Sequence, residues 1–179
     1  MRALTGLNSE DTKSLKVHDI VMVGLLSATI TAGKLALSFV PNVEIVTLLF
    51  IVFTVSLGLK KALLVSVIFS TTEILIYGFS TWILGYYLIW PLLVIITWFV
   101  NKTINSEYVY AAIGGFFGLF FGFFFALVES IFYGWAYGVS YWLRGIPMDV
   151  LHGASNFIIV LLLFEPLYRI FKKCKNNEF

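Results

Sequence analysis

Hydrophobic residues form six long runs in this chain, separated by short segments that contain Gly, Pro, Asn or charged residues. A helix needs about 20 predominantly apolar residues to cross a bilayer, so these six runs predict an all-α bundle of six membrane-spanning helices. The second and fourth runs are short for a span. The fifth is long, and we expect it to tilt or to break near Gly134 or Gly138. The runs cover approximately residues 18–40, 43–59, 61–79, 84–100, 108–136 and 147–171.

The first run has two faces of different character. Small residues recur at every fourth position on one face, which makes a smooth stripe that another helix can approach closely. Polar residues fall on roughly the opposite face, so we expect that face to point into the bundle. The small-residue stripe consists of Gly24, Ala28, Ala32 and Ala36. The polar face carries Ser27, Thr31, Lys34 and Ser38.

The fifth run carries a second stripe of small residues, flanked by Phe on the remaining faces. Its spacing of four residues predicts close helix-to-helix packing inside the bundle. This glycine stripe consists of Gly114, Gly118, Gly122 and Ala126.

The composition excludes an ordinary soluble domain. A content of 60% hydrophobic and 12% charged residues leaves too little polar surface to cover a globule in water. We therefore expect an integral membrane protein with a single transmembrane domain over residues 1–179. A cleavable signal peptide is not expected, because Glu10, Asp11 and Asp19 precede an apolar run that is longer than a typical signal core. The one cysteine, Cys174, excludes an internal disulfide and implies no redox chemistry.

The basic residues predict an orientation. If the N-terminus is cytoplasmic, ten of the twelve Lys and Arg residues lie on the cytoplasmic side, and only Lys34 and Arg144 lie near the outer face. Both termini are then cytoplasmic, with an N-terminal segment over residues 1–17 and a basic tail over residues 172–179. The ten residues on the inner side are Arg2, Lys13, Lys16, Lys60, Lys61, Lys102, Arg169, Lys172, Lys173 and Lys175.

Aromatic residues are concentrated in the segments that this orientation assigns to the outer side. Most are expected to form a belt at the lipid headgroups, while some lie beside polar residues and are candidates to stack on a ligand. The set consists of Tyr77, Trp82, Tyr86, Tyr87, Trp90, Tyr133, Trp135, Tyr137, Tyr141 and Trp142.

Polar residues at the starts of two runs have both a structural and a functional interpretation. Asn42 is a suitable N-cap for the second helix, and Glu44 in its first turn suits the positive end of the helix dipole. Pro147 and Asp149 repeat this pattern at the predicted start of the last helix. Helix N-termini that point into a cavity also bind polar groups, so capping and ligand contact both remain open.

Further polar residues share single helix faces. Asp149, His152 and Asn156 are spaced to lie on one face of the last helix, and Glu73 and Tyr77 lie on one face of the third. Ligand binding and an interhelical hydrogen-bond network are the competing interpretations. Lys34 or Arg144 would neutralise one of the acids. Glu129, deep in the fifth run, needs a partner or a proton that the pattern does not identify.

Three arrangements that suggest catalysis fail on inspection. Ala32-Gly33-Lys34 resembles the end of a phosphate-binding loop, but Ala28 and Leu35 replace the required Gly and Ser/Thr. His152 and Asn156 resemble one motif of the CAAX-type membrane proteases, whose paired-glutamate motif is absent. The two histidines lie at opposite ends of the bundle and cannot share a metal. We therefore expect no enzymatic activity, no catalytic or metal-binding residue and no cofactor.

Several of these features together resemble a known family. Six predicted helices in 179 residues, Ala28 and Ala32 in the first helix, and a polar, aromatic outer end are similar to the substrate-binding S component of energy-coupling factor (ECF) transporters. The segments PNVEIVTLL, from Pro41, and IPMDVLHGASNF, from Ile146, also resemble that family.

The resemblance implies a role and a set of residues. Such a subunit resides in the prokaryotic plasma membrane, captures a vitamin or related micronutrient from outside, and docks on a transmembrane T subunit that carries two ATPases. Its partners are therefore a small solute, these subunits and the lipid bilayer, with no nucleic acid. The small-residue stripe would be the docking face. The candidate substrate contacts are Lys34, Asn42, Glu44, Glu73, Tyr77, Arg144, Asp149, His152 and Asn156.

Two other functions stay open. A self-sufficient small carrier or channel would use the same stripes to form oligomers. An intramembrane enzyme is more distant, given the missing motifs.

Overall fold

The structure is a computed structural model that describes residues 16–177, with side chains through Cys174. Its regular elements over these residues are all helices, as the hydrophobic runs predict. The predicted N-terminal segment 1–17 lies outside the described residues except for its last two, and part of the predicted tail 172–179 continues the last helix. The helices are α1 Val17–Ala36, α2 Val46–Leu57, α3 Leu59–Tyr77, α4 Trp82–Asn101, α5 Glu107–Leu119, α6 Phe121–Tyr133 and α7 Trp135–Asn177.

Helix length and composition agree with a helical membrane protein. Over the described residues, α1, α4 and α7 are each long and apolar enough to cross a bilayer, and α5 with α6 would add a fourth span if the bent pair counts as one. The 12 residues of α2 rise about 18 Å, which is less than the hydrocarbon thickness of about 30 Å. Helix α3 has 19 residues but carries Lys60, Lys61 and Glu73.

The fifth run is broken in two places. The predicted break at Gly134 is confirmed, since this residue separates α6 from α7 with a φ of 85°. A second break at Phe120, which the hydrophobic pattern did not predict, separates α5 from α6 with a bend of 40°. Both halves of the run nevertheless contact α7.

The predicted start of the last helix at Pro147 is wrong. Helix α7 is continuous over 43 residues and contains both Pro147 and Pro166 in its interior. A proline removes one backbone hydrogen bond, a defect that neighbouring helices can compensate in a membrane bundle. At about 1.5 Å per residue, α7 is roughly 65 Å long. Its length is therefore about twice what one perpendicular span requires.

The core lies around the short helix α2, whose residues from Val46 to Thr54 are all buried. The Phe50 ring stacks on Trp90 of α4, with centroids 5.2 Å apart, and meets the edge of Phe69 on α3 at 5.7 Å. Trp90, which the sequence assigns to the outer aromatic set, is thus a core residue with only 2% of its surface exposed. Because α2 is enclosed on all sides, its sequence is apolar on all faces.

The glycine stripe packs against α7, as its spacing predicts. All four of its residues are buried. Gly118 faces Gly153 so closely that a Cβ atom added to Gly118 would lie 2.9 Å from the Gly153 Cα atom. The two backbones are therefore in direct contact, and no larger residue fits between them.

Helix α1 has the two faces that its sequence predicts. Ser27 and Thr31 are buried, and the Ser27 hydroxyl donates to the carbonyl oxygen of Val65 on α3 at 3.3 Å. Lys34 forms an ion pair with Glu73, whose side chain is fully buried. Ser38 is exposed, so the polar face is buried only along part of its length. The whole small-residue stripe is exposed.

We predict that Gly118→Ala lowers the thermal stability of the purified protein. The added methyl group would lie against the Gly153 backbone, and such overpacking costs about 1 to 3 kcal/mol. Gly24→Ala is the matched control, because no atom lies within 4 Å of a Cβ at that position. The measurement is the apparent unfolding midpoint in detergent. Equal midpoints for the two variants would contradict the α5–α7 backbone contact.

We further predict that Lys34→Met destabilises the bundle. It leaves the fully buried Glu73 carboxylate without its cation, which costs roughly 3 to 5 kcal/mol. The double variant Lys34→Met/Glu73→Gln should recover much of this loss. Lys61→Met is the control, since its partner Asp19 is 16% exposed and also accepts the Lys16 backbone N–H. The measurement is again the apparent unfolding midpoint. A smaller decrease in this midpoint for Lys34→Met than for Lys61→Met would argue against the buried pair.

Candidate functional site

A cavity of about 890 Å³ lies at one end of the bundle. Its volume is within the range of about 300 to 1,000 Å³ that is typical of small-molecule sites. The walls come from the turn before α2 and from α4, α6 and the first part of α7. The lining residues are Asn42, Trp82, Tyr86, Phe121, Gly122, Phe125, Ala136, Tyr137, Ser140, Tyr141, Arg144, Gly145, Met148 and Asp149.

Aromatic rings form much of this wall. Tyr86 contacts Trp82 with ring centroids 5.1 Å apart and Phe125 at 5.9 Å, both edge to face. Such contacts hold rings in defined positions and leave their remaining surface available to a ligand. On α7, Tyr137 and Tyr141 are four residues apart and so lie on one face of the helix.

The sequence identified only part of this aromatic wall. Four of its rings belong to the outer aromatic set, namely Trp82, Tyr86, Tyr137 and Tyr141. Phe121 and Phe125 were missed. They lie in a Phe-rich run whose pattern indicates packing alone, and only the bend at Phe120 and the position of α7 bring them to the cavity.

Asn42 lines the cavity, but its predicted role as a helix cap is wrong. Its backbone has a left-handed φ of 56°, and α2 begins after Ile45 instead. The Asn42 side-chain nitrogen lies 3.2 Å from the sulfur of Met148, and the Asn42 backbone carbonyl oxygen accepts a hydrogen bond from the Ser155 hydroxyl at 2.6 Å. The turn before α2 is therefore fastened to α7.

Asp149 also lines the cavity and caps a helix other than the predicted one. It lies inside α7 and not in its first turn. Its Oδ1 atom accepts the backbone N–H of Gly122, in the first turn of α6, at 3.0 Å. The Oδ2 atom has no hydrogen-bond partner among the described residues. A carboxylate at a helix N-terminus is favoured by the helix dipole, so Asp149 links α7 to α6 electrostatically.

Glu44, His152 and Asn156 form a buried network behind the cavity and do not line it. The Glu44 carboxylate accepts the Thr47 backbone N–H at 3.1 Å and lies 3.3 Å from the His152 Nε2 atom. Asn156 donates to the Thr47 hydroxyl at 3.2 Å. The His152 ring contacts Phe121, which belongs to the cavity wall. For these three residues, the interhelical network is the interpretation that the contacts support.

Lys34, Glu73 and Tyr77 also lie outside the cavity wall. The Lys34 ammonium pairs with Glu73 and lies 4.6 Å from the centre of the Tyr77 ring and 5.1 Å from that of Tyr86. Lys34 therefore neutralises one of the acids, as the sequence suggests. Tyr86 is the one residue of this group that also lines the cavity.

Glu129 has a partner that the sequence could not identify. The Thr81 hydroxyl, in the loop before α4, donates to its Oε1 atom at 2.7 Å. Glu129 lies near the end of α6 and is 7% exposed. This contact ties α6 to the start of α4, whose first turn holds the cavity residue Trp82.

Of the nine predicted substrate contacts, the structure brings three to the cavity wall: Asn42, Arg144 and Asp149. Comparison of the chain with models of known protein families, with curated proteins and with solved structures finds no match.

Proposed function

We propose that this protein is the membrane-embedded substrate-binding S subunit of an ECF-type importer, and that it captures a vitamin or related micronutrient. The cavity carries this proposal. An aromatic wall with a few polar groups, at one end of an otherwise apolar bundle, suits a partly aromatic and polar solute. The proposal also agrees with Ala28 and Ala32 in the first helix and with the segments from Pro41 and Ile146, which resemble the family.

A second feature supports a partner subunit. The glycine stripe is buried by packing within the chain, whereas all four residues of the small-residue stripe on α1 are exposed. A smooth helix face of this kind allows close approach of another membrane helix. In the proposed assembly, this face docks on the T subunit, which links the protein to two ATPases.

The distribution of charges supports a topology with six spans and both termini in the cytoplasm. In this arrangement α5 and α6 together form one span, and the short α2 is sheltered inside the bundle. Asp19 at the start of α1 pairs with Lys61 at the start of α3, and Phe53 meets Phe171 near the end of α7. Both contacts involve helix ends away from the cavity, next to basic residues, and this supports a cytoplasmic position for that side under the positive-inside rule. The cavity would then open to the outside of a prokaryotic cell membrane.

The runner-up is a self-sufficient carrier or channel that oligomerises through the exposed stripe of α1. It shares the cavity but needs no ATPase.

We predict that the two functions separate in proteoliposomes. Native mass spectrometry of the gently purified chain should first reveal a co-purifying small molecule, which then serves as the solute. The chain alone should bind this solute without accumulating it, because the S subunit has no energy source of its own. Uptake by the chain alone would favour the carrier.

We predict that Ala28→Trp/Ala32→Trp abolishes association with the T subunit and uptake in cells, while ligand binding by the isolated chain is unchanged. Two indole rings on the stripe would prevent close helix approach. The measurements are co-purification of the T subunit and both ATPases with the tagged chain, and uptake of the solute.

The matched control is Ile158→Trp/Leu162→Trp on α7. These two residues are also four apart and are exposed, at 54% and 64% of their surface. This control should assemble and transport normally. Normal uptake by the α1 variant, or equal loss in the control, would count against docking through the small-residue stripe.

A further inference from the structure

Arg144 differs from the other charged side chains near the cavity because it has no partner among the described residues. It lines the cavity, is exposed, and makes no hydrogen bond or ion pair with any residue that the structure describes. A guanidinium group presents five N–H donors in a fixed fork that matches a carboxylate or phosphate. The neighbouring charged side chains each have a partner. The pairs are Lys34 with Glu73, Glu44 with His152, Glu129 with the Thr81 hydroxyl, and Asp149 with the Gly122 N–H.

The positions of Arg144 and Asp149 define a direction for the ligand. Both line the cavity from α7, and five residues of helix separate them by about 7.5 Å along the axis. The Asp149 carboxylate is buried in the wall, and its Oδ2 atom has no hydrogen-bond partner among the described residues, so an anionic group beside it would be repelled. The favourable place for a ligand anion is therefore at Arg144, away from Asp149, and its uncharged part would lie against the aromatic wall.

The uncharged part of the ligand would meet aromatic rings. Four of these rings line the cavity: Phe125 is buried, Tyr86 is partly buried, and Tyr137 and Tyr141 are exposed. Rings fixed by edge-to-face contacts suit a flat ligand, which can stack against their free faces.

We propose that the cavity takes a planar aromatic anion, with its ring system against these four aromatic side chains and its carboxylate or phosphate on Arg144. This inference rests on the proposed function, whose substrate class it specifies. In this proposal Arg144 binds the ligand, unlike a surface arginine that contacts only water or lipid.

The test is a charge series on one ring system. Naphthalene-2-carboxylate, naphthalene-2-carboxamide and 2-(aminomethyl)naphthalene have nearly the same shape and carry a negative, a neutral and a positive group. Their binding to the full chain, delipidated in dodecyl maltoside, is measured by equilibrium dialysis. The wild type should bind the carboxylate about tenfold more tightly than the amide, and the amine most weakly.

Variants assign the selectivity to one side chain. Arg144→Gln should lower the affinity for the carboxylate about tenfold and that for the amide much less, and the retained amide binding shows that the cavity is intact. Arg144→Lys keeps the charge without the planar fork, so its affinity for the carboxylate should lie between those of the wild type and Arg144→Gln. Arg169→Gln is the matched control, because Arg169 lies on the same helix, is exposed and pairs with Glu165 far from the cavity. It should bind all three probes like the wild type.

Three results with the probes alone would overturn the inference. They are undetectable binding of the carboxylate to the wild type, equal carboxylate affinity in Arg144→Gln and the wild type, and a preference for the amine.

An anionic lipid is the competing source of the same chemistry. If added phosphatidylglycerol abolishes carboxylate binding in the wild type, then Arg144 holds a lipid headgroup and the solute is not an anion.

These outcomes are independent of the docking proposal. The dialysis uses the chain alone, so loss of anion selectivity would leave association with the T subunit untouched. Conversely, failure of the α1 variants to block uptake would leave the charge series valid.

Discussion

The close contact between α7 and the bent α5–α6 pair is the constraint on which the rest of this structure depends. Gly118 and Gly153 let two helix backbones touch, and this contact brings the first turn of α6 against Asp149. The carboxylate then accepts the Gly122 N–H, which holds α6 and α7 together at the edge of the cavity. A larger residue at the glycine contact would push α5 away from α7, the helix that contributes most of the cavity wall.

Burial of polar groups in an apolar bundle divides the charged residues into two kinds. Those that lie in the packed interior of the described chain are ion-paired or hydrogen-bonded, because an isolated charge without water is costly. Lys34 with Glu73 and Glu44 with His152 belong to this kind, and their role is to join helices. Arg144 belongs to the other kind, because it lies on an exposed cavity wall with no partner in the described chain. The pairing pattern, more than the presence of charge, therefore identifies the ligand-binding candidates.

Sequence patterns predicted the helices better than their ends. Apolar runs predicted an all-helical chain, and the spacing of small and polar residues predicted the two faces of α1, because burial and periodicity act over many residues. The continuation of α7 through Pro147 and the bend at Phe120 were not predicted. A proline inside a helix is tolerated in a membrane bundle, and a bend within an apolar run leaves no mark on the hydrophobic pattern, so neither feature can be read from the local sequence. Asn42 is a further example, since its turn conformation is held by α7 and not by the helix that follows it.

The sequence by itself determined that this is an all-helical, apolar chain with one smooth exposed helix face and its remaining polar residues in a few places. It could not decide which polar residues pair and which face a cavity, because Lys34 and Glu73 are 39 positions apart and Glu44 and His152 are 108 apart. Only the tertiary structure assembles Asn42, Arg144 and Asp149 with aromatic rings from three helices around one space. The physical reason is that helical periodicity is local, whereas a cavity forms between segments that are distant in the chain.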